Sequence, residues 1–383
     1  MRIGFFTNNY FPMLGGVPTA VETARGALEH LGHDVVVVAP RTAGAPRDES
    51  HVIRVPALPA PTYPEFALPL PLLPGLGRRL RNLDLDVFHA HHPFLLGRTA
   101  LRLARRAGRP LVFTHHTLYD KYAHYVPLPQ PLVARQAVAL STRFANAADL
   151  VIVPSAALAA RLAAQGVRRP VEIVPTGVDP NRFYPDDRVV ARRALGLPPD
   201  RPLLVYVGRL DREKNLSFLL DAFAVVAAHH PTVDLVLVGR GTQEEALRRR
   251  ASRLGVGHRV RFTGGVPPSA VIGHYQAGDL FVFASTTETQ GLAVLEAMAT
   301  GLPVVAVRAT GVEEAVVDGV TGLLVPEDLQ VFAAATLGVL RDGGLAAKLA
   351  SGGREAALAF SAHALAERLS AIYAQLRAAA PLA

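Results

Sequence analysis

Two glutamates that flank a glycine offer the clearest chemistry in this sequence. The stretch 285–298 begins where an apolar run ends, and its spacing becomes helical at about Gly291. Backbone N–H groups at a helix start lack partners and lie at the positive end of the dipole, so they attract an anion that a glycine allows to come close. Glu288 can accept hydrogen bonds from sugar hydroxyls. Glu296 lies about two helical turns further on and returns to the same face, where it can hold a ribose diol. The pattern predicts an anion-and-polyol pocket; a capped helix with two surface glutamates is the alternative.

Two cations follow another apolar run. Arg209 comes directly after the predicted strand, and Lys214 follows it on the same strand-to-helix turn. Cations at this place can hold a diphosphate, and they stabilise the charge that develops on a departing nucleoside diphosphate. The alternative is a salt bridge at the helix entry, in which Lys214 pairs with Asp211 or Glu213.

Glycines provide a weaker signal near the start of the chain. Gly15 and Gly16, followed by Val17, stand between the first predicted strand and a helix. Adjacent glycines open a tight turn at which the backbone can touch a ligand. The run Gly239-Arg240-Gly241 is only a fragment of a dinucleotide fingerprint, and the sequence contains no Walker loop, Gly-x-Ser-x-Gly or helical zinc motif.

Histidines end two predicted strands of the N-terminal half. His115 and His116 are neighbours on a strand and point to opposite faces, so we expect one to face a cleft and the other to be packed or exposed. A metal site is not expected, because there is no cysteine and no helical His-x-x-x-His spacing. The other candidates, which we interpret as mainly structural, are His89, His91, His92, Asp84 and Asp86.

Apolar strands alternate with helical patterns along the chain, which predicts parallel sheets covered on both faces. The first set of strands is predicted at 2–7, 34–39, 86–90, 110–114, 150–154 and 171–174, and the second at 203–208, 234–239, 259–264, 279–285 and 303–307. Helices are predicted at 20–31, 98–106, 216–228, 243–254, 270–276 and 291–298. Ligands of such sheets bind at the carboxyl ends of the strands.

The length of the chain favours two domains. Its 383 residues exceed what a single core usually supports. Proline and glycine concentrate at about 175–200, where we place the linker. We therefore predict an N-terminal domain at 1–178, which we expect the C-terminal helix 362–383 to complete, and a C-terminal domain at 185–361.

Residues 54–83 interrupt the alternation. This segment holds seven prolines among Leu, Phe and Tyr, and ends in arginines. Long apolar loops are often functional. We predict a surface that faces a membrane or an acceptor, with apolar side chains in lipid and guanidinium groups on phosphates; a Pro-rich crossover packed on its own domain is the alternative. The residues assigned to this surface are Phe66, Leu68, Leu72, Arg78, Arg79 and Arg81.

Composition narrows the class of protein. The net charge is +8 with a pI of about 10.1, which favours polyanionic partners or reflects a compositional bias. Cysteine is absent, which suits a cytosolic protein. The first residues read as a strand and not as a signal peptide, and no apolar run reaches membrane-spanning length. We expect a cytosolic protein or one peripheral to a membrane.

The glutamate pair, with Gly208-Arg209 and Lys214 upstream, resembles the retaining glycosyltransferases of family 4. Glycines stand where that family has them over nearly the whole chain, at Gly15-Gly16, Pro175-Thr176-Gly177-Val178-Asp179, Val238-Gly239 and Phe262-Thr263-Gly264. The resemblance implies an α/β protein with the GT-B fold, in which two Rossmann-like domains face a central cleft. It also implies retention of the anomeric configuration by front-face attack, with no covalent nucleophile and no bound metal.

Within that family, the chain is similar to the diacylglycerol glucosyltransferases, through Thr286-Thr287-Glu288-Thr289-Gln290-Gly291-Leu292 and His116-Thr117-Leu118-Tyr119. These are peripheral membrane enzymes that use UDP-glucose. The resemblance implies that Arg209 and Lys214 hold the diphosphate, that Glu288 holds the hexose and Glu296 the ribose, and that His116 lies near the sugar's C6 hydroxyl. The other donor-binding residues it implies are Gly15, Gly16, Val17, Gly239, Val266, Thr289, Gln290, Gly291 and Leu292, and the acceptor residues are Tyr119, Tyr122 and Tyr125.

Two segments depart from the family pattern. The tyrosine segment reads Asp120-Lys121-Tyr122-Ala123-His124, which bears on the acceptor, and the Gly-Asp-Gly-Pro turn reads Gly239-Arg240-Gly241-Thr242. The expected function is glucosyl transfer from UDP-glucose to diacylglycerol on the cytoplasmic face of an anionic cell membrane. The alternatives are a GDP-mannose-dependent mannosyltransferase acting on phosphatidylinositol or an oligosaccharide, and a non-catalytic nucleic-acid-binding protein. The last has only charge in its favour, since no nucleic-acid-binding module is recognisable.

Overall fold

The chain divides into two compact units, which are described separately below. Unit 1 comprises Met1–Gly177 and the C-terminal segment from Ala362, and unit 2 comprises Val178–Ser361. The structure is a computed structural model that describes residues 1–13, 15–46, 49–60, 63–70, 76–126 and 128–379. The side chains of residues 63–65, Leu76 and Arg79 lie outside this description.

Unit 1 is built on a parallel sheet of seven strands in the order β3-β2-β1-β6-β7-β8-β9. These strands are β1 (Arg2–Phe6), β2 (Asp34–Pro40), β3 (Val52–Val55), β6 (Val87–Ala90), β7 (Leu111–Thr114), β8 (Leu150–Val153) and β9 (Val171–Ile173). A separate antiparallel hairpin pairs β4 (Ala57–Ala60) with β5 (Tyr63–Pro69). Strand order reverses between β1 and β6, which is where sheets of this kind bind ligands.

Helices cover both faces of this sheet because successive strand residues point to opposite sides. On one face, α1 (Gly16–His30) and α13 (Ala362–Ala379) share a core with Ile3 and Phe5. On the other face, Phe6 belongs to a core that also contains side chains of four helices. Those helices are α2 (Leu76–Arg81), α3 (Leu96–Ala107), α4 (Gln130–Ala145) and α5 (Ala156–Ala164).

Unit 2 repeats the architecture with a six-stranded parallel sheet in the order β12-β11-β10-β13-β14-β15. Its strands are β10 (Leu203–Val207), β11 (Asp234–Val238), β12 (Val260–Phe262), β13 (Leu280–Phe283), β14 (Val304–Val307) and β15 (Leu323–Val325). Its helices are α6 (Arg188–Ala194), α7 (Leu216–His229), α8 (Glu244–Arg253), α9 (Pro268–Ala277), α10 (Leu292–Ala299), α11 (Leu329–Arg341) and α12 (Gly343–Ala359). Here the strand order reverses between β10 and β13.

The last helix joins the first unit. Leu365, Leu369, Ile372 and Tyr373 of α13 are buried in the core they share with α1 and β1. Tyr373 also lies 2.6 Å from His89 Nδ1 through its hydroxyl. The apolar side of α13 therefore packs on the rest of unit 1.

Two segments differ from the expectation. Residues 54–83 are not one long loop, because they include the end of β3, the β4–β5 hairpin and α2. Proline is tolerated in such a two-stranded ribbon, where one side of each strand needs no ladder hydrogen bonds. The assigned residue Leu72 lies outside the described residues. The predicted linker contains α6, whose N-terminus is capped by the Asp187 carboxylate.

Candidate active site

The candidate active site of unit 2 begins at the loop between β13 and α10. The loop carries Glu288 and ends at Gly291, which has a φ of 76° and immediately precedes α10. A left-handed conformation of this kind favours glycine over residues with a Cβ. No side chain among the described residues caps the helix. The carboxyl ends of β10 and β13, which carry Arg209 and this loop, are neighbours at the strand-order reversal.

Lys214 and Glu288 form an ion pair at this place. Lys214 Nζ lies 2.6 Å from Glu288 Oε1, and the two side chains are only 14% and 15% exposed. Burial alone would raise the pKa of Glu288, but the charge and hydrogen bond of Lys214, aided by Ser285 and Arg209, hold that pKa below its usual value. Glu288 is therefore an ionised acceptor at neutral pH.

Arg209 is fixed by the acids of its own turn. Its guanidinium nitrogens lie 2.5 Å from a carboxylate oxygen of Asp211 and 2.5 Å from one of Glu213, and both acids are buried. Lys214 pairs with Glu288, and the two acids of the helix-entry turn hold Arg209. The other oxygen of Asp211 accepts hydrogen bonds from the backbone and hydroxyl of Thr242, which ties this turn to the segment after Gly239.

Glu296 occupies a different environment although it lies on the adjoining helix. It is buried, and its Oε2 accepts a 2.7 Å hydrogen bond from the hydroxyl of Tyr275 on α9. Burial raises its pKa to about 7, a rise that Tyr275 and the charge of Arg182 only reduce. This carboxyl is close to half-protonated at neutral pH and can donate or accept a hydrogen bond.

The remaining donor-site candidates of unit 2 lie in three segments. Gln290 is buried and Thr289 is partly buried in the same loop, and Leu292 opens α10 against the core. Val266 packs against that core from the segment after β12. Gly239 follows β11 and forms a bridge with Gly264.

Gly311 supports the loop and was not found by the sequence analysis. A Cβ on this residue would lie 2.5 Å from the carbonyl oxygen of Glu288 and 2.7 Å from the carbonyl carbon of Thr289. Its φ of 84° also disfavours a side chain. The sequence feature that could have drawn attention to it is a glycine shortly after an apolar run. That run forms β14, which neighbours β13 in the sheet.

Unit 1 carries its own candidates at the carboxyl ends of β1, β6 and β7. Gly15 immediately precedes α1, Gly16 begins it with open space at its Cβ position, and Val17 is partly buried against the core. His115 is packed inside the unit, with its Nε2 atom 3.1 Å from Ser141 Oγ on α4. His116 is partly buried.

His116 has a histidine partner that the sequence analysis treated as structural. His91 Nδ1 and His116 Nε2 are 2.9 Å apart, so one ring donates and the other accepts. Burial and the neighbouring histidines lower the pKa of both rings well below the usual value, which keeps them neutral. The signal was available in the topology, because β6 and β7 are adjacent and their carboxyl ends meet. His89 instead forms hydrogen bonds with the hydroxyls of Tyr373 and Thr114, and His92 accepts one from the backbone N–H of Asn8.

The acceptor candidates form a second region of unit 1. Tyr119, Tyr122 and Tyr125 lie on a single 3-10 helix, Tyr119–Tyr125. Tyr122 and Tyr125 stack at 6.1 Å between ring centroids, and Phe66 of the hairpin lies 6.3 Å from the Tyr125 ring. The hairpin and this helix are therefore adjacent. Leu68, Arg78 and Arg81 are exposed, whereas the side chain of Arg79 is outside the described residues.

Two further observations concern metal binding and membrane-spanning helices. Within the described residues, no group of three or more histidine, aspartate or glutamate side chains is arranged to hold a metal ion. No helix in the described part of the chain combines the length and apolar character needed to cross a bilayer.

Comparison with known proteins places the chain among glycosyltransferases. Residues 14–182 match the model for Glycosyltransferase Family 4, and residues 187–356 match that for Glycosyl transferases group 1. The alpha-monoglucosyldiacylglycerol synthase of Streptococcus pneumoniae is 32% identical over 80% of this chain and 71% of its own length. The GDP-mannose-dependent alpha-mannosyltransferase of Mycobacterium tuberculosis is 33% identical over 85% and 84%, respectively.

A solved structure extends the comparison to the fold. The sucrose-phosphate synthase of Thermosynechococcus elongatus matches with a TM-score of 0.80 and 27% identity, over 99% of each chain. Fold and site together define a nucleotide-sugar-dependent glycosyltransferase of the GT-B fold. The chain belongs to glycosyltransferase family 4. The predicted α/β class, GT-B fold and enzyme class are confirmed.

Proposed function

We propose that the protein is a retaining glucosyltransferase that transfers glucose from UDP-glucose to diacylglycerol, giving α-glucosyl-diacylglycerol. The observation that carries the proposal is the Lys214–Glu288 ion pair beside the clamped Arg209, which brings a fixed carboxylate and two cations together at one strand-order reversal. The choice of glucose and of a lipid acceptor is supported by the relative from Streptococcus pneumoniae, whose name describes a glucosyldiacylglycerol synthase.

Each group has a proposed part in donor binding. Arg209 and Lys214 bind the diphosphate and stabilise the charge that grows on it as the glycosidic bond breaks. Glu288, held ionised by Lys214, accepts hydrogen bonds from the glucose hydroxyls and orients the sugar. Glu296, positioned by Tyr275, binds the ribose diol. The backbone N–H groups at the start of α10 lie at the positive end of the helix dipole and also attract the phosphates.

Unit 1 is proposed to contribute to catalysis and to bind the acceptor. His116, whose ring is kept neutral, interacts with the C6 hydroxyl of the sugar. Gly15, Gly16 and Val17 present backbone to the donor. The acceptor hydroxyl attacks from the face that the diphosphate leaves, and its proton passes to the departing phosphate. No side chain acts as a covalent nucleophile and no protein-bound metal takes part in this scheme.

The hairpin is proposed to touch the membrane that contains the acceptor. Leu58 and Leu68 are a cross-strand pair of the hairpin and are 57% and 42% exposed, so that they form an exposed apolar pair. The protein would then be peripheral on the cytoplasmic face of the cell membrane. Changing both leucines to serine should weaken binding to vesicles while donor hydrolysis is unaffected. Unchanged vesicle flotation would favour a purely structural hairpin.

A transfer assay tests the function itself. The full chain is incubated with UDP-[14C]glucose and vesicles that contain diacylglycerol and phosphatidylglycerol, and lipid-extractable label is measured. We expect labelled glycolipid with an α linkage, and at least ~10²-fold slower labelling by the Glu288→Ala variant. Donor hydrolysis without labelled lipid would exclude diacylglycerol as acceptor.

A second candidate is a GDP-mannose-dependent mannosyltransferase. It is supported by the relative from Mycobacterium tuberculosis, which is as similar to this chain as the glucosyl relative is. The same assay with GDP-[14C]mannose and phosphatidylinositol vesicles separates the two. Mannosyl lipid formed faster than glucosyl lipid would select this alternative.

A further inference from the structure

The hydrogen bond between His91 and His116 has a well-defined geometry. His91 Nδ1 and His116 Nε2 are 2.9 Å apart, the ring planes are inclined by 22°, and the ring centroids are 5.2 Å apart. This centroid separation is close to the largest that a 2.9 Å contact between ring atoms allows, so the two nitrogens lie on the line between the ring centres. An N–H on either nitrogen therefore points at the lone pair of the other, as a good hydrogen bond requires.

Two arrangements of protons satisfy this hydrogen bond. Both rings are neutral, because burial and the neighbouring histidines lower the pKa of each well below its usual value, and a neutral ring carries a single N–H. In the first arrangement, His91 donates from Nδ1, its Nε2 is bare, and His116 carries its proton on Nδ1. In the second, His116 donates from Nε2, His91 carries its proton on Nε2, and Nδ1 of His116 is bare.

The surroundings of His91 Nε2 distinguish the two arrangements. His91 is only 2% exposed, and its Nε2 is buried with no hydrogen-bond partner among the described residues. A buried N–H that lacks an acceptor is rare in proteins and costs free energy comparable to a lost hydrogen bond, whereas under-satisfied acceptors are tolerated more often. The second arrangement buries such an N–H, and the first leaves only a lone pair there. The first arrangement is therefore favoured.

Other rings hold His91 in its orientation. It stacks on His89 with 4.3 Å between ring centroids, and it meets the ring of Phe5 in a T-shaped contact at 4.8 Å. His89 is itself fixed, because its two ring nitrogens each lie 2.6 Å from a hydroxyl, one of Tyr373 and the other of Thr114. A ring locked by its neighbours gives the hydrogen bond to His116 a constant direction.

We propose that His91 is a positioning residue that donates its Nδ1–H to His116 Nε2 and thereby fixes His116 as the tautomer with its N–H on Nδ1. The nitrogen of an imidazole that carries the proton is set by the bond that the other nitrogen makes. The Nδ1–H of His116 then donates a hydrogen bond to the C6 oxygen of the donor sugar. This role rests on the proposed function, which assigns His116 to the C6 hydroxyl, and adds the direction of that contact and the residue that sets it.

Nuclear magnetic resonance of the full chain with 15N-labelled histidine tests the direction of the hydrogen bond without any ligand. Protonated and bare ring nitrogens resonate in separate regions, and Nδ1 and Nε2 differ in their couplings to the ring protons. The His116 signals are those that disappear in both the His116→Asn and the His116→Gln variants. We expect a bare Nε2 and a protonated Nδ1 for His116. A protonated Nε2, or equal populations of the two tautomers, would overturn the proposal.

Donor analogues test the role of His91 in sugar recognition. Dissociation constants of UDP-glucose and of UDP-6-deoxyglucose, which lacks the C6 hydroxyl, are measured by calorimetry for the native chain, His91→Leu and His91→Asn. Leucine removes the ring N–H, whereas the amide of asparagine carries an N–H close to the position of Nδ1. We expect His91→Leu to weaken UDP-glucose binding about three- to tenfold, the worth of one hydrogen bond, and to leave UDP-6-deoxyglucose binding unchanged. His91→Asn should recover most of the lost affinity.

Two results of this comparison would contradict the role of His91. Equal losses for both donors in His91→Leu would show that the ring acts only through packing, and an asparagine variant as weak as the leucine variant would show that the N–H is not what His116 needs. Thermal unfolding of each variant establishes that folded proteins are compared. A native chain that binds neither donor would count against the proposed function, while the tautomer of His116 would still decide whether His91 donates to it.

Discussion

Glu288 and Glu296 lie eight positions apart, and their pKa values are shifted in opposite directions. Glu288 is largely and Glu296 almost fully shielded from water, but Glu288 has the ammonium of Lys214 at 2.6 Å, whereas Glu296 has the hydroxyl of Tyr275 at 2.7 Å. An opposite charge outweighs desolvation and a neutral hydrogen bond does not, so the pKa of Glu288 falls and that of Glu296 rises to about 7. The first is equipped to orient a sugar as a charged acceptor, and the second to share a proton with a diol.

Replacing Glu288 by alanine should lower turnover by at least ~10²-fold, because the reacting sugar loses its orienting acceptor. Glu244→Ala, which removes a partly exposed glutamate paired with Arg248 in the same unit, is the matched control and should change turnover less than about twofold. Turnover numbers at saturating donor provide the measurement. Near-normal turnover of the Glu288 variant would show that the sugar is bound elsewhere.

Replacing Glu296 by glutamine should stabilise the unliganded protein at high pH. The unfolded state releases its proton near pH 4.5, whereas the folded state holds it to about pH 7, so folding stability is lost as pH rises between these values. Glutamine does not titrate and can keep the Tyr275 hydrogen bond. The free energy of unfolding should therefore rise by ~2–4 kcal/mol above pH 7 and be unchanged near pH 4. Urea titrations at both pH values check this, and an equal change at both would contradict the assignment.

The cations and glutamates could be predicted at the residue scale, but their pairing could not. Arg209 and Lys214 are recognisable from their place after a strand. Lys214 finds its partner 74 residues away, and which acid it meets depends on the order of strands in the sheet. The link between His91 and His116 was missed for the same reason, since it arises from the adjacency of β6 and β7.

At the scale of elements, the site depends on loops packed behind one another at the ends of parallel strands. The segment after β14 lies directly against the loop after β13, because Gly311 has no side chain to push Glu288 and Thr289 away. The carboxylate that is proposed to contact the donor is thus positioned by the backbone of a neighbouring connection.

Gly311→Ala should displace this loop and lower kcat/KM at least ~10-fold, in keeping with the sensitivity of catalysis to small misplacements. Gly319→Ala is a close control, because Gly319 has a similar φ of 73° but no atom within 4 Å of its Cβ position. Both variants should lose ~1–2 kcal/mol of stability from backbone strain. Activity and thermal unfolding are measured together, and equal kcat/KM in the two variants would show that the loop is not held by Gly311.

Most strands of both sheets could be predicted because they are short apolar runs bounded by polar residues. β3 and β15 were not predicted, and β3 runs into the proline-rich segment 54–83, which was read as a loop. The β4–β5 hairpin was read as a loop because its prolines resemble strand breakers. The antiparallel pairing that accommodates them is a property of the folded ribbon and not of any single residue.

At the scale of the whole molecule, ionisable groups are distributed unevenly. Unit 1 buries a group of histidines that must be neutral in the folded state, while the helices on one face of its sheet carry arginine without acids and those on the other face carry both. The group consists of His89, His91, His92 and His115, which are buried, and His116, which is partly buried. The net charge of +8 gave no indication of this arrangement.

These histidines should make the protein sensitive to acid. Burial lowers the pKa of His89 and His92 to about 3 and that of His115 to about 4. Their contribution is complete above about pH 6.5, the ordinary value, and is lost as pH falls from there toward the folded values. The free energy of unfolding should fall by at least ~2 kcal/mol per pH unit between pH 6 and 5. Urea titrations across this range provide the measurement.

His92→Asn should reduce that slope by about one proton. A free energy of unfolding that stays flat from pH 7 to 5 would contradict the neutral, buried state of this group.

Donor binding by calorimetry tests the central claim most directly, which is that the cations beside Glu288 hold the diphosphate of UDP-glucose. UDP-glucose, UDP and uridine are titrated into the full chain and into the Arg209→Gln/Lys214→Met variant. We predict that the native chain binds UDP and UDP-glucose at least ~100-fold more tightly than uridine, as charge-assisted contacts to phosphate require, and that the variant loses this difference. Equal affinity of the native chain for UDP and uridine, or native-like UDP binding by the variant, would contradict the account.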